Sequence, residues 1–107
     1  MSVILKAFVE PYMEHVETLQ SYQTVLTTAV VAWNLSLLPE EQRPAKLEDA
    51  LEALHPSGRS DGKAIILGMI ERKLRSFARY RRMIISYHAE EIPDGWHLSV
   101  VSTPEPV

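Results

Sequence analysis

Eight positions between residues 12 and 37 follow one another at alternating steps of four and three residues. All but one are apolar or carry an aromatic ring: Tyr12, Val16, Leu19, Gln23, Leu26, Val30, Trp33 and Leu37. Because two turns of an α-helix advance about seven residues, this spacing places the whole set along one helix face. We therefore predict one helix about 40 Å long, from about residue 11 to residue 38, with Pro39 ending it.

The second half of this helix is apolar on the opposite side as well, at Val25, Ala29, Ala32 and Leu35. A helix that is apolar all round has to be covered on more than one side. The cover comes either from the rest of this chain or from a second copy, and small side chains such as Ala29 and Ala32 would let another helix approach closely. We therefore expect water to be excluded from residues 25–37, and we take Val25, Ala29 and Ala32 as candidate self-association positions.

Shorter helical patterns and a second long one complete the helical part. A short helix precedes Pro11, and a helix with one apolar face covers residues 46–54. Residues 55–62 are typical of a loop because they hold one proline, two glycines and two serines. The second long helix then runs from residue 63 to about residue 80, with Ser60 or Asp61 as its cap. Its apolar stripe consists of Ile66, Leu67, Ile70, Leu74 and Phe77.

After Arg82 the apolar period changes to two residues, which is typical of β-strands. The first strand places Met83, Ile85, Tyr87 and Ala89 on one face, and the second places Trp96, Leu98 and Val100 on one face. The Pro93-Asp94-Gly95 segment between them supplies a turn, so we predict a β-hairpin. Two registers stay open. A two-residue Asp-Gly turn would pair Ala89 with Val100, whereas a proline-led turn with a glycine bulge would pair His88 with Val100.

We therefore predict an α+β fold that is mainly helical, with two long antiparallel helices, shorter helices and a C-terminal β-hairpin. Residues 1–103 form a single domain in which the hairpin covers 83–103, and residues 104–107 form a frayed tail. A two-stranded hairpin is marginal on its own in water. It has to pack on the helices, or its outer edge has to pair with a second copy or a partner peptide. We expect Trp33 and Trp96 in the core, with an exposed interface position as the alternative for Trp96.

Composition bounds the class of protein. The 107 residues are 46% hydrophobic and 23% charged, which argues against global disorder. There is no cysteine, so disulfides, thiol catalysis and thiolate metal sites are excluded. No signal-peptide pattern opens the sequence, and the most apolar stretch, residues 27–38, is shorter than the roughly 20 residues that cross a bilayer. We expect a cytoplasmic protein with no membrane partner.

The net charge of −3 is spread unevenly, because residues 71–82 hold six cationic side chains and one acid. At about 100° per residue, Arg72, Arg75 and Arg79 lie opposite the apolar stripe and face solvent, with Lys73 and Arg82 alongside. Arg72, Arg75, Arg79 and Arg82 are therefore candidate contacts to nucleic-acid phosphates or to a protein partner. The alternative is a solvated face that matches the acidic residues Glu10, Glu14 and Glu17. The acidity of the whole chain disfavours nucleic-acid binding.

Candidate chemistry is concentrated in the hairpin. His88 and Glu90 share one face of the first strand, and His97 on the second strand lies near Glu91 or Ile92. Their spacing matches no metal-ligand pattern, and a hairpin tip lacks the buried environment that tunes groups for acid–base catalysis. We expect no cofactor and no metal site, and we favour a protein that is not an enzyme.

Two functions follow from these observations. The first is a non-catalytic protein-interaction or regulatory module that self-associates as a homodimer. It depends on the all-round apolar helix, on the opposed acidic and basic faces and on the free edge of the hairpin. The alternative is a nucleic-acid-binding protein that uses the basic helix face of residues 72–82.

Overall fold

The chain forms helices first and a β-hairpin last. The structure is a computed structural model that describes residues 1–54 and 59–104, and only the backbone at residues 54 and 59–61. Within these ranges the helices are α1 (Ser2–Val9), α2 (Leu19–Ser36), α3 (Arg43–Leu54) and α4 (Arg59–Ser76), with short 3-10 turns at Glu10–Tyr12 and Glu40–Gln42; the strands are β1 (Ile84–Ile92) and β2 (Gly95–Ser102). The predicted α+β class, mainly helical, is confirmed. None of these helices is long and apolar enough to span a membrane.

The long helix α2 begins later than predicted because Thr18 caps it. The Thr18 hydroxyl accepts a hydrogen bond from the Ser21 amide at 3.0 Å, and the Ser21 hydroxyl accepts one from the Thr18 amide at 3.1 Å. This reciprocal pair is a capping box, which satisfies two backbone donors at the helix start. Pro11 lies in the preceding 3-10 turn. Tyr12 and Val16 therefore belong to the connection between α1 and α2 and not to the long helix.

Helix α2 is the centre of the fold, and it contacts α1, α3, α4 and β1. Leu26, Ala29 and Trp33 on this helix are inaccessible to solvent. Phe8 of α1 meets the Trp33 ring edge to face, with the ring centroids 5.3 Å apart. No residue from 25 to 37 is exposed, although several are half-buried. This chain therefore supplies the cover that an all-round apolar helix requires.

Helix α4 starts at Arg59 and ends at Ser76, so it begins and ends earlier than predicted. Ser60 and Asp61 lie inside the helix, and neither is its cap. Residues 55–58 of the predicted loop lie outside the described residues.

The buried line of α4 differs from the predicted stripe. Ile66, Ile70 and Lys73 are buried, whereas Leu67 and Leu74 are 46% and 43% exposed. The steps from Ile66 to Ile70 and to Lys73 are four and three residues, so the buried line has the same spacing as a helix seam. Helix α4 packs on α2 along this line, and the antiparallel direction of the two helices stays a prediction.

The hairpin has a register that neither predicted alternative contains. Val100 lies opposite Tyr87, and the strands are joined by Pro93 and Asp94 alone. Both alternatives had placed the glycine in the turn. Proline instead occupies the first central position, which suits its fixed φ, and Gly95 with a φ of 139° is already the first residue of β2.

A bulge in β1 changes which isoleucine faces the core. The pairing shifts between Ile84 and Ser86, as it does when a strand holds one extra residue. Ile84 is therefore buried and Ile85 is 62% exposed, the reverse of the predicted alternation. On β2 the predicted alternation is confirmed, since Leu98 is buried and Val101 is exposed.

Polar side chains on α2 and β1 join the hairpin to the helices. The Trp33 indole N–H donates to the Arg82 carbonyl at 2.8 Å. The Asn34 side-chain amide donates to the Ile84 carbonyl and accepts from the Ile84 amide, both at 2.8 Å. From the strand, the Tyr87 hydroxyl donates to an α2 carbonyl at 3.0 Å. The start of β1 is thus fixed to α2 by directional bonds as well as by apolar contact.

Both tryptophans contact the core. Trp33 is fully buried, as predicted. Trp96 is half-buried, and its ring stacks on Tyr22 with centroids 4.8 Å apart and planes 23° from parallel. This contact closes the core at the turn end of the hairpin.

Candidate functional site

The four arginines predicted as one contact surface occupy different environments. Arg72 is half-buried, and its guanidinium donates to the carbonyls of Phe8 at 3.2 Å and Ala7 at 3.1 Å. These carbonyls lie in the last turn of α1, where no intrahelical donor reaches them. The cation also lies 5.2 Å from the Phe77 ring centroid. Arg72 is therefore a helix-capping side chain, and the expectation that it faces solvent is wrong.

Arg75, Arg79 and Arg82 are exposed. Arg75 lies 3.5 Å from the Glu71 carboxylate one turn earlier, an exposed pair of little weight for stability. Arg79 donates to the Tyr80 hydroxyl at 2.7 Å and lies 4.9 Å from the centroid of that ring. Because α4 ends before them, Arg79 and Arg82 lie on the segment that joins α4 to β1. The sequence had predicted that they share a helix face with Arg75, and this prediction is wrong.

This connecting segment and the start of α1 form a small cavity of about 290 Å³. Its lining consists of Met1, Ile4, Arg79, Tyr80, Arg81 and Arg82. Three guanidinium groups and one aromatic ring therefore surround a single opening. Guanidinium groups recognise phosphate oxygens, and an aromatic ring can stack on a base.

This chain buries the three positions predicted for self-association to different degrees. Ala29 and Ala32 are fully buried, and Val25 is half-buried against the core. No side-chain surface of either alanine is left for a second copy. The prediction that these positions self-associate stays a prediction at Val25, whereas the side chains of Ala29 and Ala32 contact this chain alone.

The outer edge of β2 is a candidate for a self-association surface. The sheet consists of β1 and β2 in the described part of the chain, so each strand has one edge with no neighbouring strand. Ser99 is exposed and Val101 is 55% exposed beside the exposed Ile85. The edge of β1 is partly occupied, because Asn34 takes up both backbone groups of Ile84.

The hairpin imidazoles and carboxylates form an exposed surface cluster. The Glu90 carboxylate lies 3.8 Å from His88 Nε2 and 3.6 Å from His97 Nδ1. His97 lies opposite Glu90 in the sheet and not opposite Glu91 or Ile92 as predicted, because the register differs. Across the described ranges, no three such side chains are arranged to hold a metal ion. None of these side chains lines the cavities described here.

Sequence reasoning missed a second cavity, of about 390 Å³, at the meeting of α2, α3 and α4. Its cationic lining residues are Arg43, Lys73 and Arg81. Lys73 had been predicted beside the exposed basic face, but it is 1% exposed and its ammonium lies 4.5 Å from the Trp33 ring centroid. Burial lowers the pKa of Lys73, and the Arg81 guanidinium lowers it further. The spacing of four and then three residues from Ile66 through Ile70 to Lys73 was the sequence signal that could have predicted the burial of this lysine.

Comparisons with models of protein families, with curated proteins and with solved structures found no significant match to this chain.

Proposed function

We propose that this protein is a non-catalytic interaction module that self-associates as a homodimer, by pairing the outer edge of β2 with the same edge of a second copy. The observation that carries the proposal is an eight-residue edge strand that contains no aspartate, glutamate, lysine, arginine or proline. Sheet edges are usually protected by charges, prolines or bulges, because an unprotected edge is a template for another strand.

The two edges of the hairpin differ in a way that favours β2 as the strand that pairs with a second copy. Strand β1 carries Glu90 and Glu91, has a bulge near its start and donates and accepts hydrogen bonds there with Asn34. An antiparallel pair of two β1 strands would bring these acids near one another, and like charges that face each other destabilise a sheet. Two β2 strands would meet without that penalty.

A symmetric pair of β2 edges would also give the sheet an ordinary size. Two-stranded sheets are marginal in water, whereas sheets of four to six strands are common. A two-fold axis through the β2 edge would join two hairpins into one four-stranded antiparallel sheet, and two-fold dimers are the most frequent oligomers. Val101 would then lie beside the new interface and lose part of its exposure to water.

Sedimentation velocity at protein concentrations of about 1 to 100 μM tests the proposal. We expect a dimer that Ser99→Lys and Val101→Lys convert to a monomer of unchanged circular dichroism, since lysine on an edge opposes strand pairing. Ser86→Lys is the matched control, because Ser86 lies opposite Val101 on the same outward face but on β1. A wild-type monomer throughout, or a dimer that the β2 variants leave intact, would contradict the proposal.

Nucleic-acid binding is a second candidate, which the cavity lined by Arg79, Arg81 and Arg82 favours. In this alternative the three guanidinium groups contact backbone phosphates and Tyr80 stacks on a neighbouring base. Arg75 is an exposed outlying contact on α4. Arg72 takes no part because its donors already bind α1.

Fluorescence anisotropy with labelled single-stranded and duplex oligonucleotides tests this second candidate. Three phosphate contacts predict a slope of about −2 to −3 in the logarithm of affinity against the logarithm of salt concentration. Arg79→Glu with Arg82→Glu should abolish binding, and Lys6→Glu with Lys46→Glu, which changes exposed lysines elsewhere, should preserve it. Absence of binding at about 50 mM salt would end this alternative.

A further inference from the structure

The cavity between α2, α3 and α4 combines three cations, of which Lys73 is buried, Arg43 half-buried and Arg81 exposed, with apolar walls. It is lined by Ser36, Leu37, Leu38, Pro39, Arg43, Lys73, Leu74, Ala78 and Arg81. Among these described lining residues there are three cations and no carboxylate. A volume of about 390 Å³ lies within the usual range for small-molecule sites, and such sites combine apolar walls with a few polar groups.

Lys73 is the least expected of these side chains. It is 1% exposed, and its ammonium lies over the face of the Trp33 ring, 4.5 Å from the ring centroid, while no carboxylate among the described residues forms an ion pair with it. A ring face attracts a cation, but more weakly than a carboxylate does. Burial of an ammonium without an anion is costly, so lysine is rarely found fully buried unless it is paired.

Arg43 leaves a second cationic donor without a partner. One terminal nitrogen of its guanidinium donates to the Ser36 carbonyl at 3.1 Å. Its Nε is buried and has no hydrogen-bond partner among the described residues. Buried polar groups in folded proteins are nearly always hydrogen-bonded, so an isolated donor that lines a cavity requires an explanation.

The C-terminal end of α2 explains only part of this arrangement. The carbonyls of a last helical turn carry partial negative charge and attract cations, and the Arg43 bond to Ser36 is such an interaction. That end is already capped by the amides of Leu37 and Leu38, which donate to carbonyls three residues earlier. The helix end therefore accounts for one Arg43 nitrogen, and within the described residues neither Arg43 Nε nor the Lys73 ammonium has a hydrogen-bond acceptor.

We propose that this cavity binds a small organic anion, with its oxyanion head group held by Lys73 and Arg43 and its apolar part against Leu37, Leu38 and Leu74. A carboxylate and a phosphate monoester share the chemistry that the two cations recognise, because each offers negative oxygens to charged N–H donors. Arg81 adds a third positive charge to the wall. The site is separate from the β2 edge and does not depend on self-association.

Trp33 supplies an intrinsic reporter of occupancy, because the Lys73 ammonium lies over its ring. In a Trp96→Phe background Trp33 is the one remaining tryptophan. Titration with octanoate and with octyl phosphate should each be tried, and a saturable change in Trp33 emission is expected with at least one of them. The ligand that binds with the higher affinity identifies the head group that the site prefers. 1-Octanol, which has the same chain and no charge, should give no saturable change.

Calorimetric titration of variants then tests the two cations independently of fluorescence. Lys73→Met and Arg43→Gln should each weaken binding at least about tenfold, which is the expected loss for one charge-assisted hydrogen bond. Arg75→Gln, outside the cavity, should bind as the wild type does. Lys73→Met should also melt at a temperature no lower than the wild type, because methionine fills the space without a buried charge.

Three results would overturn the proposal. The first is no saturable response to either anion at concentrations up to about 10 mM, well above the range of specific small-molecule sites. The second is unchanged binding in both Lys73→Met and Arg43→Gln, which would place the anion elsewhere. The third is a Lys73→Met protein that binds no anion and melts lower than the wild type, while Arg43→Gln binds normally. That combination would make Lys73 a purely structural partner of Trp33.

Discussion

Replacing Asn34 by alanine would separate the hairpin from the helix that positions it. The Asn34 amide group satisfies both backbone groups of Ile84, with each hydrogen bond 2.8 Å long. Ile84 is almost fully buried, and it is the first residue of β1. Alanine would leave one donor and one acceptor of the strand without partners next to the core.

The size of the effect follows from these two bonds. A buried polar group that loses its partner costs about 1–3 kcal/mol, and the lower value applies where water can replace the partner. Asn34 is half-buried, so water reaches part of the site. We therefore expect Asn34→Ala to lower the free energy of unfolding by about 2–4 kcal/mol, which for a domain near 100 residues lowers the melting temperature by about 8–20 °C.

Urea denaturation followed by circular dichroism measures this change. Asn34→Asp gives an internal comparison, because a carboxylate accepts from the Ile84 amide but repels the Ile84 carbonyl oxygen, so it should not restore the stability of the wild type. Gln23→Ala, an exposed position on the same helix, should change the free energy of unfolding by less than about 0.5 kcal/mol. In hydrogen exchange the Ile84 amide should lose protection selectively in Asn34→Ala. An alanine variant as stable as Gln23→Ala would refute the anchoring role of Asn34.

Three further outcomes are expected. In urea denaturation, Arg72→Gln should lower the free energy of unfolding by about 1–3 kcal/mol, because Arg72 caps α1. Arg75→Gln, which removes an exposed ion pair, should lower it by less than about 0.5 kcal/mol. Equal losses in the two variants would contradict the capping role of Arg72. Burial raises the pKa of Tyr22 above 10.0, so its contribution to stability is complete below pH 10 and is lost as the pH rises through the folded-state pKa. An absorbance titration should show one of the four tyrosines ionising last, and Tyr22→Phe should remove that step; a late step that persists would assign it to another residue. Gly95→Ala should lower the free energy of unfolding, measured by thermal denaturation, by about 1–3 kcal/mol. The reason is backbone strain, because a φ of 139° is unfavourable for a residue with a side chain, although an added Cβ would touch nothing within 4 Å. A decrease no larger than that of Asp94→Ala would contradict the strain argument.

The class of fold could be predicted from the sequence because periodicity reports burial. The alternation of Leu98 with exposed neighbours identified β2, and the apolar positions around Leu26 and Trp33 identified α2. Both signals arise because one face of each element is removed from water. They locate an element well, but they carry little information on where it begins.

The boundaries were harder because they depend on individual hydrogen bonds. The capping box that starts α2 has Ser21 at the position where glutamate or glutamine is usual, so Thr18 did not stand out as a cap. The hairpin register depended on which residues occupy the turn, and Pro93-Asp94 and Asp94-Gly95 both fit common turns. The bulge that exposes Ile85 left no signal in the residue types of β1.

The candidate sites were the least predictable part, because a charged residue is assumed to face water. For Arg72 the assumption failed since the end of α1 needs donors, and no sequence pattern places α1 beside α4. Asn34 lies within the most apolar stretch, residues 27–38, where its residue type predicted no specific contact, although it is the residue that holds Ile84. Polar side chains within an apolar stripe are thus better treated as candidates for specific contacts than as gaps.

Helix geometry explains why position 73 is buried, but it does not explain why the residue there is a lysine. Helix geometry buries position 73, because it continues the line of Ile66 and Ile70 at the same spacing, and an apolar residue there would stabilise the core without the cost of a charge. Fold stability therefore accounts for the burial of the position but not for the presence of an ammonium group. The proposed anion site accounts for the ammonium group. The side chain that costs stability in the free protein would become favourable when an anion lies between it and Arg43. Weakened anion binding by Lys73→Met, at a melting temperature no lower than that of the wild type, is the result that this balance predicts, because the lysine would then serve the anion and not the core.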